Sequence, residues 1–214
     1  MDKIVLLGFG GHAKSVIDCI ERQGQYEIVG FLDKKERKNI RYRGYSVIGE
    51  DDDLDRLYKQ NIKNAFVAIG FLGRSTIREQ LYERLKKAGF QLPNIIDPSA
   101  VLANEVLLGE GNFVGKFAML NADTKIGNMC IINSGARIEH ECKVGDFSHV
   151  SVNTVLCGQV TVGTRTFVGA GATLLQGIIV GDSSIIAAGV TVRKDVKDCE
   201  LVYEASDIRT RSLK

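Results

Sequence analysis

The chain has 214 residues, 28 Lys and Arg against 26 Asp and Glu, and a formal net charge of +2. With no basic block longer than the Lys34, Lys35, Arg37, Lys38 run, that balance argues against nucleic acid as a partner. Five scattered cysteines without CxxC spacing read as reduced thiols, no signal peptide precedes the first strand, and no apolar run reaches membrane-spanning length. A cytoplasmic protein of one or two domains, with no membrane partner, is expected.

Residues 3–7 form an apolar run of the kind found in buried parallel strands. It leads into Gly8-Phe9-Gly10-Gly11-His12-Ala13 and a helix carrying Ala13, Val16, Ile17 and Ile20 on one face. A second strand over 27–32 ends before Asp33, and Asp51 to Asp53 can cap a short helix with Leu54, Leu57 and Tyr58. A third strand over 64–69 ends at Gly70. Thr76 and Glu79 read as a capping box opening a helix with Ile77, Leu81, Leu85 and Ala88 inward, stopped by Gly89. Alternating strand and helix predict a small α/β domain with a parallel sheet over residues 1–92.

Gly8, Gly10 and Ala13 satisfy the G-x-G-x-x-G/A pattern between strand and helix, and Asp33 ends the next strand. Glycines let the backbone approach a phosphate, and the helix N-terminus supplies free N–H groups. About ninety residues hold only one mononucleotide half, so a pyrophosphate-bearing nucleotide, such as a nucleotide sugar, fits better than a dinucleotide. His12 lies in the turn, within reach of a diphosphate or a sugar hydroxyl, and Lys34 stands where it can meet phosphate. The loop from Gly70 to Arg74 borders the same cleft, because ligands bind at the carboxyl ends of such strands.

From residue 93 the pattern changes. Counting in sixes from Ile96 to Val192, all seventeen leading positions are Ile, Leu or Val. Gly109, Gly127, Gly145, Gly163 and Gly181 recur every eighteen residues, and fifth places such as Ala118, Thr124, Cys130, Ala136, Cys142, Ser148 and Thr166 are small or β-branched. Eighteen residues per circuit with three inward aliphatics describe a triangular prism of short parallel strands, a β-helix. Over 93–196 it makes between five and six coils, roughly 27 Å long. Residues 197–214 form a C-terminal tail.

Two of the three histidines lie in this repeat. His140 is third in its six and His149 sixth, so neither takes an inward place. His140 is followed directly by Glu141, and an imidazole oriented by a carboxylate makes a general base. Nine residues, half a circuit, separate the two histidines; they share a pocket only if neighbouring prisms pack side by side. No cysteine or aspartate cluster has zinc spacing, and no metal is expected.

The glycine turn, Phe31-Leu32-Asp33, Ala68-Ile69-Gly70, the hexads and Ile138-Glu139-His140-Glu141-Cys142 together closely resemble the NeuD/PglD-like sugar acetyltransferases among the hexapeptide-repeat acyltransferases. The resemblance covers residues 1 to 196 and is nearest to N-acetyltransferases of UDP-4-amino-4,6-dideoxy sugars. It implies a left-handed parallel β-helix, a homotrimer, acetyl-CoA as co-substrate held between subunits, and a UDP-amino sugar as substrate. His140 is then the base and Glu141 its orienting partner. Asn133 and His149 match residues that contact the acetyl thioester, and Gly158, Ala170 and Ala188 match places where backbone lies against pantetheine. Gly10, Gly11, His12, Asp33, Lys34, Gly70 and Arg74 match the nucleotide-sugar side. The chain departs from the family at the end of the prism, where Leu201-Val202-Tyr203-Glu204-Ala205-Ser206 replaces a Gly-x-Pro-Ala-Lys loop.

The reaction so implied is attack of a sugar amine on the thioester, with a backbone N–H or His149 donating to the oxyanion. Three rivals stand beside it: O-acetylation of a sialic acid or another sugar hydroxyl, a nucleotide-dependent oxidoreductase suggested by the glycine turn, and a non-catalytic trimeric sugar-binding protein.

Overall fold

The computed structural model describes residues 1–37 and 40–203, so Lys38 and tail residues 204–214 lie outside the described residues. The N-terminal half runs β1 (Asp2–Leu7), α1 (Gly11–Gln23), β2 (Tyr26–Leu32), β3 (Arg41–Tyr42), β4 (Tyr45–Gly49), α2 (Leu54–Lys59), β5 (Asn64–Val67) and α3 (Ile77–Lys87). The sheet order is β3-β4-β2-β1-β5, parallel except for the β3–β4 hairpin. β1 therefore lies central and delivers the glycine turn to the carboxyl edge of the sheet. Ala13, Val16, Ile17 and Ile20 of α1 are all fully buried, as the helical spacing requires.

One element is unmarked in the sequence pattern and one local expectation fails. The hairpin was not foreseen; its turn places Arg43 at φ 51° and Gly44 at φ 85°, the left-handed pair of a tight two-residue connection. Thr76 precedes α3 but makes no capping hydrogen bond. Its hydroxyl instead accepts from the Gln80 amide at 3.3 Å, and Ser75 Oγ accepts from Ile77 N–H.

The C-terminal half is the triangular prism, a left-handed parallel β-helix of two-residue strands. The first face runs from Ile95–Ile96 to Leu201–Val202, the second from Val101–Leu102 to Thr191–Val192, and the third from Leu107–Leu108 to Ile179–Val180. As far as the pair Thr173–Thr191, each strand pairs in register with the one eighteen residues on, for example Ile131 with His149 and Arg137 with Val155, and the last coil closes at sixteen, with Ile185 on Leu201 and Val180 on Val196. The leading aliphatics from Val114 onward are buried, while Ile96, Leu102 and Leu108, at the open end, are partly so. The strand Leu201–Val202 pairs with Ile185–Ile186, which extends the first face beyond residue 196.

The corners explain the eighteen-residue glycines. Asn128, Asp146, Asp182 and Asp198 each turn a side-chain oxygen back to accept a backbone N–H of the preceding coil, at 2.7–3.0 Å. A Cβ at Gly109, Gly127, Gly163 or Gly181 would fall within 2.4 Å of those same oxygens. The glycines are there for close approach, not for an unusual φ. Inside, the small polar residues satisfy corner carbonyls: Ser148 Oγ donates to Gly163 O at 2.6 Å and Thr166 Oγ1 to Gly181 O at 2.8 Å.

The α/β domain is seated on the first face. Phe113 and Ile131, outward on that face, are buried with Phe9, Ile17 and Phe31 in one apolar cluster. Arg22 of α1 holds the buried Asp97 through both oxygens, at 2.8 and 3.0 Å. Arg78 of α3, almost fully buried, donates to the carbonyls of Val67 and Ile69 in the α/β domain and, at 2.6 Å, to Met129 of the prism. Burial lowers its pKa to about 10, which leaves it charged at neutral pH.

Candidate active site

A cleft of about 700 Å³ opens where the glycine turn meets the prism. Gly8, Gly10, Gly11, His12, Asp33 and Gly70 line it from the α/β side, and Asn133, Ser134, His149 and Val152 from the prism. Gly8 has φ 88°, and a Cβ there would strike Ile69 at 2.2 Å, so the turn admits no other residue. Gly10 and Gly11 face open space.

Asp33 holds the turn rather than projecting from it. Its carboxylate accepts from Phe9 N–H at 2.7 Å, Lys34 N–H at 2.7 Å and Arg37 Nη1 at 3.1 Å. Arg37 thereby places a cation on the cleft wall that the sequence reading did not assign; its position four residues past Asp33 was the available signal. Lys34 borders a second depression with Glu50, Asp51 and Asp52. Arg74 is exposed and lines neither cavity.

His12 stands edge-on to Phe113, its Nε2 buried without a hydrogen-bond partner among the described residues. Burial, with the Arg78 charge second, pushes its pKa down to about 3, so the ring is neutral. An unpartnered polar nitrogen in a cleft wall is a contact waiting for a ligand.

His149 is placed differently from the expectation. Its ring is buried, Nδ1 lies 2.7 Å from the Phe71 carbonyl, and Nε2 lies 3.2 Å from Asn133 Nδ2. Because Asn133 Oδ1 accepts from Ser134 N–H, its amide NH₂ is the end facing the histidine. The tautomer follows: Nδ1–H donates to Phe71 O, and Nε2 accepts from Asn133. Burial lowers the pKa to about 4. A neutral imidazole so engaged has no N–H left for an oxyanion, and His149 ties the loop after β5 to the prism.

His140 and Glu141 lie elsewhere, at the corner between the second and third faces. His140 Nδ1 and Glu141 Oε2 are 3.0 Å apart, and both side chains are about half exposed. The carboxylate's hydrogen bonds, to His140 first and Gln159 second, hold its pKa below the ordinary value. With Nδ1–H donating to the carboxylate, Nε2 is left unprotonated with its lone pair free, the state a general base needs.

Gly158 belongs to this corner, one coil on. A Cβ there would lie 2.6 Å from His140 Nε2, so the missing side chain makes room for the ring. Its N–H takes no partner among the described residues. Ala170 and Ala188, both exposed, follow strands of the first face and lie with Asn133 and Val152 along the corner between the first and second faces. One chain therefore splits the residues expected around a thioester between two corners. The His140 corner is also opposite the face that carries the cleft, across a triangle whose sides are roughly 20 Å long. Among the described residues no group of three or more His, Cys, Asp or Glu is placed to hold a metal ion, and no helix is long and apolar enough to cross a membrane.

Comparison with known proteins agrees with this architecture. Residues 3–85 match the PglD N-terminal domain, and residues 159–194 match the hexapeptide repeat of succinyl-transferase. The structure of PerB from Caulobacter crescentus in complex with CoA and GDP-perosamine is 36% identical, covers 94% of this chain and 93% of that one, and superposes with a TM-score of 0.87. The acetyltransferase domain of PglB from Neisseria gonorrhoeae, in complex with acetyl coenzyme A, is 30% identical over 93% of this chain and 94% of its own, with a TM-score of 0.85. Protein L142 of Acanthamoeba polyphaga mimivirus, itself uncharacterised, is 31% identical over 128 residues; the match spans 60% of this chain and only 24% of that protein. The chain belongs to the NeuD/PglD-like sugar acetyltransferases of the hexapeptide-repeat acyltransferase family.

Proposed function

We propose that the protein transfers the acetyl group of acetyl-CoA to the amino group of a nucleotide-linked 4-amino-4,6-dideoxy sugar, and that the site is completed by a second copy in a homotrimer. The observation that carries this reading is the placement of the His140–Glu141 couple at the corner opposite the chain's own cleft. Exposed apolar side chains on the prism, Phe117 at 73% and Val101 at 64%, support a neighbour that covers them.

In this reading the glycine turn, with the N-terminus of α1 and Arg37, takes the diphosphate. His12 contacts the sugar through its unpartnered Nε2. The amine attacks the thioester carbonyl as His140 of an adjoining copy removes its proton. The Gly158 N–H stands beside that base and donates to the developing oxyanion. Collapse of the tetrahedral intermediate breaks the C–S bond, and the imidazolium returns the proton to the departing CoA thiolate. No enzyme nucleophile is needed. Asn133 would then stand near the acetyl thioester, and the backbone at Ala170 and Ala188 would lie against pantetheine.

The sequence reading took the nucleotide as UDP, but the relative bound to GDP-perosamine favours a GDP-linked sugar. The test is thiol release from acetyl-CoA in the presence of GDP-perosamine, a UDP-4-amino sugar or free sialic acid. Turnover with a nucleotide-linked amino sugar, lost on the order of a hundredfold in His140→Ala, is the expected result. Turnover only with sialic acid would move the reading to O-acetylation. Binding without turnover would move it to a non-catalytic protein, and protection by NADH but not by either nucleotide would favour an oxidoreductase.

A further inference from the structure

The histidine–carboxylate couple has a third member. Gln159 occupies the same corner as Glu141 one coil later, both with left-handed backbone, at φ 62° and 60°. The stacking is fixed by the main chain: Glu141 N–H donates to Ala122 O and Gln159 N–H to His140 O, each at 2.9 Å. From that position Gln159 Nε2 donates to Glu141 Oε2 at 3.1 Å, the same oxygen that receives the His140 Nδ1 proton at 3.0 Å.

A half-exposed glutamate has three rotatable bonds and a solvent shell competing for its oxygens. One contact to a neighbouring histidine does not choose a single rotamer, because the histidine is equally free to turn. A second contact to the same oxygen, from a residue whose main chain is held over the couple by its ladder hydrogen bond, narrows the choice, because Glu141 must then satisfy both donors at once. We propose that Gln159 is a positioning residue for acyl transfer: its amide fixes the Glu141 carboxylate, and through it the rotamer and tautomer that aim His140 Nε2 at the substrate. Gly158 leaves the ring its space and Gln159 gives the carboxylate a second donor on the oxygen that faces His140. The inference rests on the acyl-transfer reading above.

Two substitutions test it. Gln159→Met keeps the length of the side chain and removes the donor, so kcat falls about tenfold while KM for either substrate stays within twofold. Gln159→Glu sets a second anion against Glu141, and the added negative charge favours the imidazolium. The ascending limb of the kcat–pH profile then moves upward by about half a unit or more. A purely structural glutamine would change thermal stability in Gln159→Met and leave its kcat near that of the wild type, whereas the shift in Gln159→Glu tests only that position 159 lies within electrostatic reach of His140.

Wild-type kcat and an unmoved limb in both variants would overturn the proposal, as would a loss confined to KM for acetyl-CoA. If the wild-type protein turns over none of the substrates, the functional reading has failed independently. The arrangement is then read from imidazole proton resonances titrated in wild type and Gln159→Glu. One histidine moving its midpoint upward supports the Gln159–Glu141–His140 chain, and none moving overturns it.

Discussion

Replacing Gly158 with alanine places a methyl group where the His140 ring now lies. The added Cβ would stand 2.6 Å from Nε2 and 2.7 Å from Cε1, against an ordinary contact of about 3.6 Å, so the ring must withdraw by about 1 Å. The main chain itself accepts the change, because Gly158 is not among the residues with positive φ. Stability therefore stays near that of the wild type, and the cost falls on alignment. A displacement of about 1 Å at a reacting group costs on the order of a hundredfold, equivalent to about 2.7 kcal/mol in the barrier. Steady-state kinetics with saturating acetyl-CoA and the preferred amino-sugar nucleotide would show that loss in kcat, and a structure of the variant would show the displaced ring. A variant within twofold of wild-type kcat would refute the argument that this glycine seats the base. A rise in KM for acetyl-CoA alone would instead assign Gly158 to the thioester's binding.

Further expectations follow from the same geometry. Glu141→Gln keeps the shape but replaces the charge that stabilises the imidazolium, so kcat should fall at least tenfold with little change in KM; an unaffected kcat would remove Glu141 from the mechanism. Arg78→Met deletes the cation shared by three carbonyls across the two domains and should lower unfolding free energy by about 2–4 kcal/mol in urea titration; a change under about 0.5 kcal/mol would show that the buried charge is dispensable. His149, at about 4 folded against 6.5 unfolded, is protonated first in the unfolded chain as pH falls. The stability lost between pH 6.5 and 4 should therefore be greater in wild type than in His149→Asn, by up to about 3 kcal/mol. Equal losses in the two proteins would contradict the neutral, engaged imidazole.

Much of the fold was legible because the prism enforces its rule on every coil: an aliphatic that failed to point inward would open a void between neighbours locked in register. The Gly109 series was equally visible, yet its cause was not, since the acceptor oxygens of Asn128, Asp146 and Asp182 sit one coil away. The hairpin of β3 and β4 was missed because Arg41 to Gly44 is polar, although Arg43-Gly44 carried a turn signal. Arg78 was hidden by its charge. Its spacing to Leu81 and Leu85 put it on the buried face of α3, but a lone arginine there makes sense only once the Met129 carbonyl is seen opposite. The couple His140–Glu141 was readable from adjacency, whereas Gln159 lies eighteen residues on and required the corner to be stacked. His149 was misjudged for the converse reason: its place in the hexad shows that it points out of the prism, not that the α/β domain covers it.

Intersubunit complementation bears on the central claim most directly. Gly10→Glu, whose side chain enters open cleft space, and His140→Ala disable the two halves separately. If the cleft of one copy is served by the base of another, coexpressed variants assort into mixed trimers in which about one interface in four pairs an intact cleft with an intact base. Activity should then return to about a quarter of wild type, although each variant alone is inactive. A mixture no more active than its components, with mixed assembly verified, would show that each chain works alone, and would contradict the shared site.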